Sequence, residues 1–121
     1  MRSLLRKTKA GSSGIVYPFR QERRVFHKKA IINGKLYDTE KAEFLCMFKD
    51  RRILLKTKSG NYFSCSQDIK SVSEEKMDEI VETVTILHYD LREETEEAVK
   101  GYTGIHELDL YIRLFGEVDE A

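Results

Sequence analysis

The dipeptide Asn33-Gly34 constrains the fold of this chain more than any other feature of its sequence. It stands between the apolar pairs Ile31-Ile32 and Leu36-Tyr37. Asn-Gly is the preferred pair for a two-residue hairpin turn, because both central residues of that turn need a positive φ. The pattern therefore predicts strands near residues 26–32 and 35–38.

Three runs after this hairpin carry the pattern of further strands. Residues 43–48 are apolar on both faces, which suits either a buried central strand or a short helix. Residues 53–57 are rich in β-prone side chains, and residues 62–66 alternate so that Phe63 and Cys65 share one face. The middle of the chain is expected to be an antiparallel β-meander of about four to five strands.

The hydrophobic period changes after residue 72. Ser73 is followed by acidic residues, as at a helix N-terminus, and the apolar positions within residues 77–84 recur at helical spacing. Further helical patterns cover residues 91–100 and 105–114. Strands followed by helices indicate an α+β fold, with two to three C-terminal helices packed on one face of the sheet.

Length and local composition predict one ordered domain. A chain of 121 residues is too short for two ordinary domains. Residues 1–24 are rich in arginine and lysine and contain the stretch Gly11-Ser12-Ser13-Gly14. We expect a basic, flexible N-terminal arm at residues 1–24 and a single α+β domain at residues 25–121.

Charge is distributed unevenly along the chain although the formal net charge is zero. Residues 1–30 hold nine lysines or arginines and one acidic residue, whereas residues 74–121 hold four lysines or arginines and fifteen acidic residues. Such asymmetry indicates either electrostatic contact with partners or mutual neutralisation of the two ends within one fold.

The sequence contains no pattern typical of a catalytic or metal site. Cys46, Cys65, His27, His88 and His106 lack the close spacings of zinc ligands, and the histidines are expected at the surface or its boundary. Both cysteines lie in apolar runs, where a free thiol behaves as a small hydrophobe. We therefore expect no enzyme activity, no metal, no cofactor and no small-molecule substrate.

The chain also lacks the marks of export. No signal peptide is visible, and no apolar run approaches the length of a membrane span. Two cysteines are too few for the disulfide framework of a small secreted domain. These features predict a cytoplasmic protein that does not contact a membrane.

Basic residues near the start of the predicted domain are interleaved with Tyr17, Phe19 and Phe26. Such a mixture can neutralise phosphates and stack on bases, so it predicts nucleic-acid binding. The alternative is the solvated edge of a first strand, where charged side chains discourage edge-to-edge pairing. This basic cluster consists of Arg20, Arg23, Arg24, Lys28 and Lys29.

The stretch from Lys29 to Ala42 contains the motif Ile-Asn-Gly-Lys-Leu-Tyr-Asp-Thr. It resembles a recurrent opening in small proteins of Firmicutes phages, plasmids and conjugative elements. Those proteins continue with a leucine-bearing strand, a Gly-x-x-Phe hairpin, an acidic helix opening and an ending like Phe-Gly-Glu-Val. The corresponding segments here are Leu54-Leu55, Gly60-Asn61-Tyr62-Phe63, Ser73-Glu74-Glu75 and Phe115-Gly116-Glu117-Val118. The resemblance covers residues 29–83 and 108–120, and residues 1–24 and 86–104 depart from the pattern.

Some members of that set resemble anti-CRISPR proteins that act on type II Cas9 effectors. The resemblance therefore implies a non-catalytic inhibitor that binds Cas9 or its guide RNA in a bacterial host cell and blocks guide loading or DNA binding and cleavage. Cas9 effectors hold nucleic acid in positively charged channels, for which an acidic surface can compete. The candidate acidic surface consists of Glu93, Glu94, Glu96, Glu97, Asp109 and Glu117. The alternative is a nucleic-acid-binding accessory or regulatory protein of a mobile genetic element, which uses the basic cluster.

Overall fold

A computed structural model describes residues 18–121, which form seven strands, two α-helices and one short 3-10 helix at Lys49–Arg51. The strands all precede the two α-helices. The elements are β1 (Phe19–Phe26), β2 (Lys29–Ile32), β3 (Lys35–Asp38), β4 (Glu43–Met47), β5 (Ile53–Lys56), β6 (Tyr62–Lys76), β7 (Glu79–Glu94), α1 (Glu96–His106) and α2 (Leu108–Phe115). The expected α+β class, with its helices at the C-terminal end, is confirmed.

Five of the strands form one sheet in the order β1-β7-β6-β5-β4, and β2 pairs with β3 in a separate two-stranded sheet. β4 pairs antiparallel with β5, and β5 pairs antiparallel with β6. β1 runs parallel to β7, because the N–H of Ile80 donates to the carbonyl of Pro18 (2.8 Å) and, further along both strands, Gln21 Nε2 donates to Glu82 Oε1 (2.9 Å). The five strands of the main sheet match the expected four to five, but its parallel edge strand makes the sheet mixed where an antiparallel meander was expected.

The described residues belong to two compact units. One contains residues 18–25 and 69–86, and the other contains residues 26–68 and 87–121. β6 and β7 therefore contribute residues to both units. The predicted boundary at residue 24 falls inside β1, and residues 1–17 of the predicted arm lie outside the described residues.

The Asn33-Gly34 turn forms as expected. Asn33 has a φ of 52° and Gly34 a φ of 77°, and the turn joins the antiparallel strands β2 and β3. The backbone N–H of Glu40 donates to Asp38 Oδ1 (2.9 Å), so a side-chain acceptor shapes the turn that follows β3. Residues 43–48, whose pattern suited a strand or a helix, contain strand β4.

The prediction of a helix that begins at Ser73 is wrong, because this segment forms the end of β6 and the start of β7. Residues 80–86 are β-branched at every position except Glu82, and β-branched side chains favour an extended backbone. Met77 and Asp78 form the connecting turn, with φ of 49° and 64°. Apolar residues at helical spacing therefore lie on paired strands here.

The first C-terminal helix starts later along the chain than expected. Thr95 Oγ1 accepts a hydrogen bond from the N–H of Ala98 (3.0 Å), so the helix begins at Glu96 and not within β7. The second helix ends before Gly116, whose φ of 93° suits a residue without a side chain. Two helices thus follow the last strand.

The central strands bury side chains on both faces of the sheet, as the pleat of a strand requires. On one face, the β2–β3 hairpin lies over a core made of Tyr37, Ile53, Leu55, Phe63 and Cys65. On the other face, α1 and α2 lie over a core made of Cys46, Phe48, Leu54, Val99 and Leu110. The helices therefore pack on one face of the sheet, as expected.

Candidate functional site

The predicted basic cluster is divided between the two units. Its three arginines lie on β1, whereas Lys28 follows β1 in the chain and Lys29 begins β2. The backbone of Lys28 is fixed by Thr39, because its N–H donates to Thr39 Oγ1 (3.0 Å) and its carbonyl accepts from the N–H of Thr39 (3.0 Å). The arginines are therefore considered separately from the lysines.

All eight residues of β1 are exposed, and β1 is an edge strand of the five-stranded sheet. Arg20 Nε lies 2.7 Å from Glu79 Oε2, so this guanidinium already has an ionic partner. Arg23 and Arg24 are consecutive and point to opposite faces of the strand. Neither forms an ion pair with a described residue.

Glu93 and Glu94 end β7 and point to opposite faces of the sheet. Glu93 accepts hydrogen bonds from the hydroxyl of Tyr37 and from Asn33 Nδ2 (2.6 Å), on the face that the β2–β3 hairpin covers. These bonds, the one from Tyr37 above all, lower the pKa of Glu93. Burial and the same hydrogen bond raise the pKa of Tyr37 to about 12. Glu93 therefore anchors the hairpin and does not share a surface with Glu94.

Arg52 brings a positive charge to the helix-covered face and is only 4% exposed. Its Nε donates to Ser64 Oγ (2.8 Å), and its Nη2 donates to the carbonyls of Ser64 (2.9 Å) and Asp90. Its Nη1 donates to Ser66 Oγ (3.0 Å) and to Asp90 Oδ2 (3.0 Å). Ser64 Oγ in turn donates to Glu94 Oε2 (2.6 Å), so this network ends at the Glu94 carboxylate. Sequence reasoning missed the network, although an arginine next to a strand that carries alternate serines is a signal for it.

An open cleft of about 410 Å³ lies beside Glu94. Its walls come from the end of β5, the β5–β6 turn, the end of β7, the start of α1 and the end of α2. The lining residues are Lys56, Gly60, Asn61, Tyr62, Glu94, Glu96, Leu114 and Phe115. Two members of the predicted acidic surface, Glu94 and Glu96, therefore share one site.

The cleft combines negative charge with aromatic ring faces. The ring centroids of Tyr62 and Phe115 lie 6.2 Å apart. Lys56 Nζ lies 5.7 Å from the centroid of the Tyr62 ring, and Lys100 Nζ lies 5.1 Å from that of Phe115. Burial, followed by the charge of Glu96, raises the pKa of the Tyr62 hydroxyl, so Tyr62 is a neutral phenol at neutral pH. Carboxylates beside aromatic faces form an arrangement suited to binding a cation.

The other predicted acidic residues lie outside the cleft. Glu97 and Asp109 occupy the first turns of α1 and α2, where a carboxylate interacts favourably with the helix dipole. Glu117 follows the end of α2, and all three side chains are exposed. The structure therefore gathers two of the six predicted acidic residues at the cleft.

His88 is buried, so the expectation that every histidine lies at the surface or its boundary is wrong for this residue. His88 Nδ1 lies 3.0 Å from Thr39 Oγ1, and His27 Nδ1 lies 3.1 Å from the same hydroxyl. The ring centroids of the two histidines are 5.3 Å apart. Burial, followed by the charge of His27, lowers the pKa of His88. No spacing in the sequence signals this cluster, because its three side chains come from distant segments.

The two cysteines are buried and unpaired. Burial raises the pKa of Cys46 and of Cys65 to about 11, so both stay protonated at neutral pH. They pack as small hydrophobes, as expected. In residues 18–121, no three His, Cys, Asp or Glu side chains are grouped so that they can hold a metal ion.

Neither of the helices in the described part of the chain has the length and apolarity needed to cross a membrane. No family model, curated protein or solved structure matches this chain.

Proposed function

We propose that this chain is a non-catalytic inhibitor that binds a type II Cas9 effector, or its guide RNA, stoichiometrically. The observation that carries the proposal is the position of the residues that resemble anti-CRISPR proteins. Residues from three separate segments of that pattern pack into one core: Ile32, Tyr37 and Ala42, then Leu55, then Phe63. The segments thus form one structural unit, which supports a scaffold shared with those proteins.

Of two other segments of the pattern, one differs from the expected structure and the other agrees with it. Ser73-Glu74-Glu75, which matches an acidic helix opening, lies in β6. Phe115-Gly116 ends the last helix, and Gly116 has a φ of 93°, which glycine adopts without steric cost. Support for the resemblance therefore comes from the hairpin, the central strands and the C-terminal helix end.

Exposed carboxylates supply the contact with Cas9 in this proposal. Cas9-type effectors hold RNA and DNA in positively charged channels. Glu96, Glu97 and Asp109 form no ion pair with a described residue, so their charge is available to a basic partner. Electrostatic complementarity of this kind speeds association and weakens as the salt concentration rises.

A DNA-cleavage assay tests the proposal. The full chain is added to Cas9 either before or after the guide RNA, and cleavage of a matched target is measured. Inhibition in both orders, saturating at one equivalent, supports a stoichiometric inhibitor. Inhibition only when the chain is added first assigns the block to guide loading. Unimpaired cleavage by several Cas9 orthologues contradicts the proposal.

Strand β1 favours a second candidate function, nucleic-acid binding by an accessory or regulatory protein of a mobile genetic element. Arg23 and Arg24 are exposed on an edge strand, and Phe19 at its start is 44% exposed. Basic and aromatic side chains on one open strand can contact phosphates and stack on bases.

Salt-dependent binding to single-stranded RNA separates this candidate from the first. The variant Arg23→Gln with Arg24→Gln is compared with Lys58→Gln, which removes one exposed charge in the β5–β6 turn. If β1 binds RNA, the double variant binds more weakly and its slope of log affinity against log salt falls by about one to two. Equal affinity and equal slope in all three proteins count against the second candidate.

A further inference from the structure

We propose that the cleft beside Glu94 and Glu96 binds the guanidinium group of an arginine side chain on a partner protein. The identity of the partner rests on the proposed function, which names an effector with positively charged channels. The recognition chemistry rests on the cleft alone, and it is therefore testable without Cas9.

The two carboxylates in the cleft have unused capacity to accept hydrogen bonds. Glu94 Oε2 accepts from Ser64 Oγ, whereas Glu94 Oε1 accepts from no described donor. Glu96 forms no side-chain hydrogen bond or ion pair with a described residue. Charge-assisted hydrogen bonds between a carboxylate and a guanidinium are among the strongest that proteins make.

The ring faces in the cleft are placed where cations can reach them. Lys56 Nζ over Tyr62 and Lys100 Nζ over Phe115 both lie within the distance at which an ammonium group is attracted to an aromatic ring. Neither lysine forms an ion pair with a described carboxylate. Each ammonium group is therefore held weakly, and a cation that binds more strongly can displace it from the ring.

Arginine matches this lining better than lysine does. A guanidinium is planar, so it can stack on a ring while its N–H groups donate to carboxylates in its own plane. It is also less strongly hydrated than an ammonium group, so it loses less on entering a partly buried site. A volume of about 410 Å³ lies at the small end of the range for ligand sites, which suits one long side chain.

Lys56 competes with the incoming cation in this arrangement, because its ammonium group lies in the same cleft and over the same ring. The substitution Lys56→Gln removes that positive charge and leaves a side chain of similar length. We expect it to raise the affinity for a guanidinium by about fivefold, the effect of one partly screened charge. A lysine that only supports the structure predicts no gain.

The experiment is a titration of the full chain with N-acetyl-arginine amide, followed by NMR on the ring signals of Tyr62 and Phe115. N-acetyl-citrulline amide, which has the same shape without the charge, is the matched control ligand. Glu96→Gln is the test variant, because Glu96 is exposed and supports no other described side chain. Glu97→Gln is the matched control variant, because Glu97 lies in the same helical turn outside the cleft.

The expected result is a saturable shift of both ring signals with the arginine probe and none with the citrulline probe. Glu96→Gln is expected to weaken binding about fivefold or more, and Glu97→Gln to change it less than about twofold. Equal responses to the two probes, or no ring shift at about 50 mM arginine probe, overturn the proposal. Binding that survives Glu96→Gln also overturns it. A protein that binds the arginine probe but does not inhibit Cas9 supports the guanidinium site and contradicts the proposed function. A protein that inhibits Cas9 but does not bind the probe contradicts the guanidinium site and supports the proposed function.

Discussion

Arg52 places a full positive charge among buried groups, and five hydrogen bonds from its guanidinium compensate for the lost water. Two of its acceptors belong to Ser64 and two to Asp90, so the side chain joins β6 to the irregular part of β7. Asp90 has a φ of 58°, a left-handed backbone that is uncommon outside glycine, although aspartate is among the residues that tolerate it best. The bonds from Arg52 help to stabilise that backbone.

The substitution Arg52→Met is therefore expected to lower the free energy of unfolding by about 2–4 kcal/mol. The methionine fills similar space, but the buried hydroxyl and carbonyl of Ser64 lose their donor. Urea denaturation measures the change. Arg23→Met, at an exposed position of β1, is the control and is expected to change the free energy of unfolding by less than about 0.5 kcal/mol. Equal effects of the two substitutions contradict a structural role for the Arg52 network.

The Thr39 hydroxyl sets the hydrogen-bond roles of the two histidine rings that contact it. Its hydroxyl accepts one hydrogen bond from the N–H of Lys28 and has a single proton to donate. Of His27 and His88, one must donate its Nδ1–H to Thr39, and the other must accept from Thr39 with a bare Nδ1. A second proton on the accepting ring breaks its hydrogen bond. All three bonds therefore persist only while at least one of the two imidazoles is neutral.

Acid is expected to destabilise the protein through His88. Its pKa in the folded state is lowered from the ordinary value of 6.5, so the unfolded chain binds more protons once the pH falls below about 6.5. The free energy of unfolding then falls as the pH falls, by at most about 1.4 kcal/mol per pH unit for one proton. Urea denaturation between about pH 7.5 and pH 5 measures the slope.

The variant His88→Gln, which does not titrate, is expected to flatten this acid-side slope. His106→Gln is the matched control, because His106 is an exposed histidine at the end of α1. It is expected to keep the slope of the unmodified protein. A slope that persists in His88→Gln and disappears in His106→Gln would show that His106 and not His88 causes it, and would contradict this explanation.

Two turns show how far local sequence determines an element. Asn33-Gly34 and Met77-Asp78 both join neighbouring strands with positive φ at both central residues. The first was predicted because asparagine and glycine tolerate that backbone. The second was not, because methionine is not a turn residue and a single aspartate is a weak signal, and the apolar residues that follow match a helical period as well as a strand. The pairing of β6 with β7 decides between the two structures, and a local pattern does not contain it.

The turn at Met77-Asp78 is expected to gain stability from the residues that its backbone favours. Met77 is 97% exposed, so the double substitution Met77→Asn with Asp78→Gly removes few packing contacts. The two substitutions relieve the backbone strain of two left-handed residues. They are therefore expected to raise the free energy of opening of the β6–β7 hairpin by about 1 kcal/mol. Hydrogen exchange of the amides in residues 70–85 measures this.

Ser59→Gly is the matched control, since it introduces a glycine into a turn at a position without positive φ. It is expected to destabilise the β5–β6 turn slightly, because glycine gains freedom in the unfolded chain. Slower exchange in both variants would mean that glycine acts in some way other than by relieving φ.

At the scale of the molecule, contacts between distant segments decide which residues form a site. The alternation in residues 62–66 predicted correctly which side chains share a face. It did not bring Tyr62 to Phe115, because strand register and helix packing set that contact. The acidic pattern likewise included Glu93 and Glu94 in one surface, although the pleat sends them to opposite faces. Charge composition thus included two residues of the candidate cleft, and the fold determines which acidic residues meet there.

Hydrogen exchange is expected to separate the two compact units. Both hydrophobic cores lie in the unit of residues 26–68 and 87–121. In the described part of the other unit, the buried residues are Val81 and Ile86 alone. Free energies of local opening follow buried apolar contact, so amides in β5 are expected to exchange at least about tenfold more slowly than those in residues 70–76.

Val81→Ala is expected to accelerate exchange only in residues 69–86, whereas Phe63→Ala, which truncates a fully buried ring, accelerates it throughout the larger unit. Uniform protection, or acceleration of β5 by Val81→Ala, would show that the described residues open as one cooperative unit.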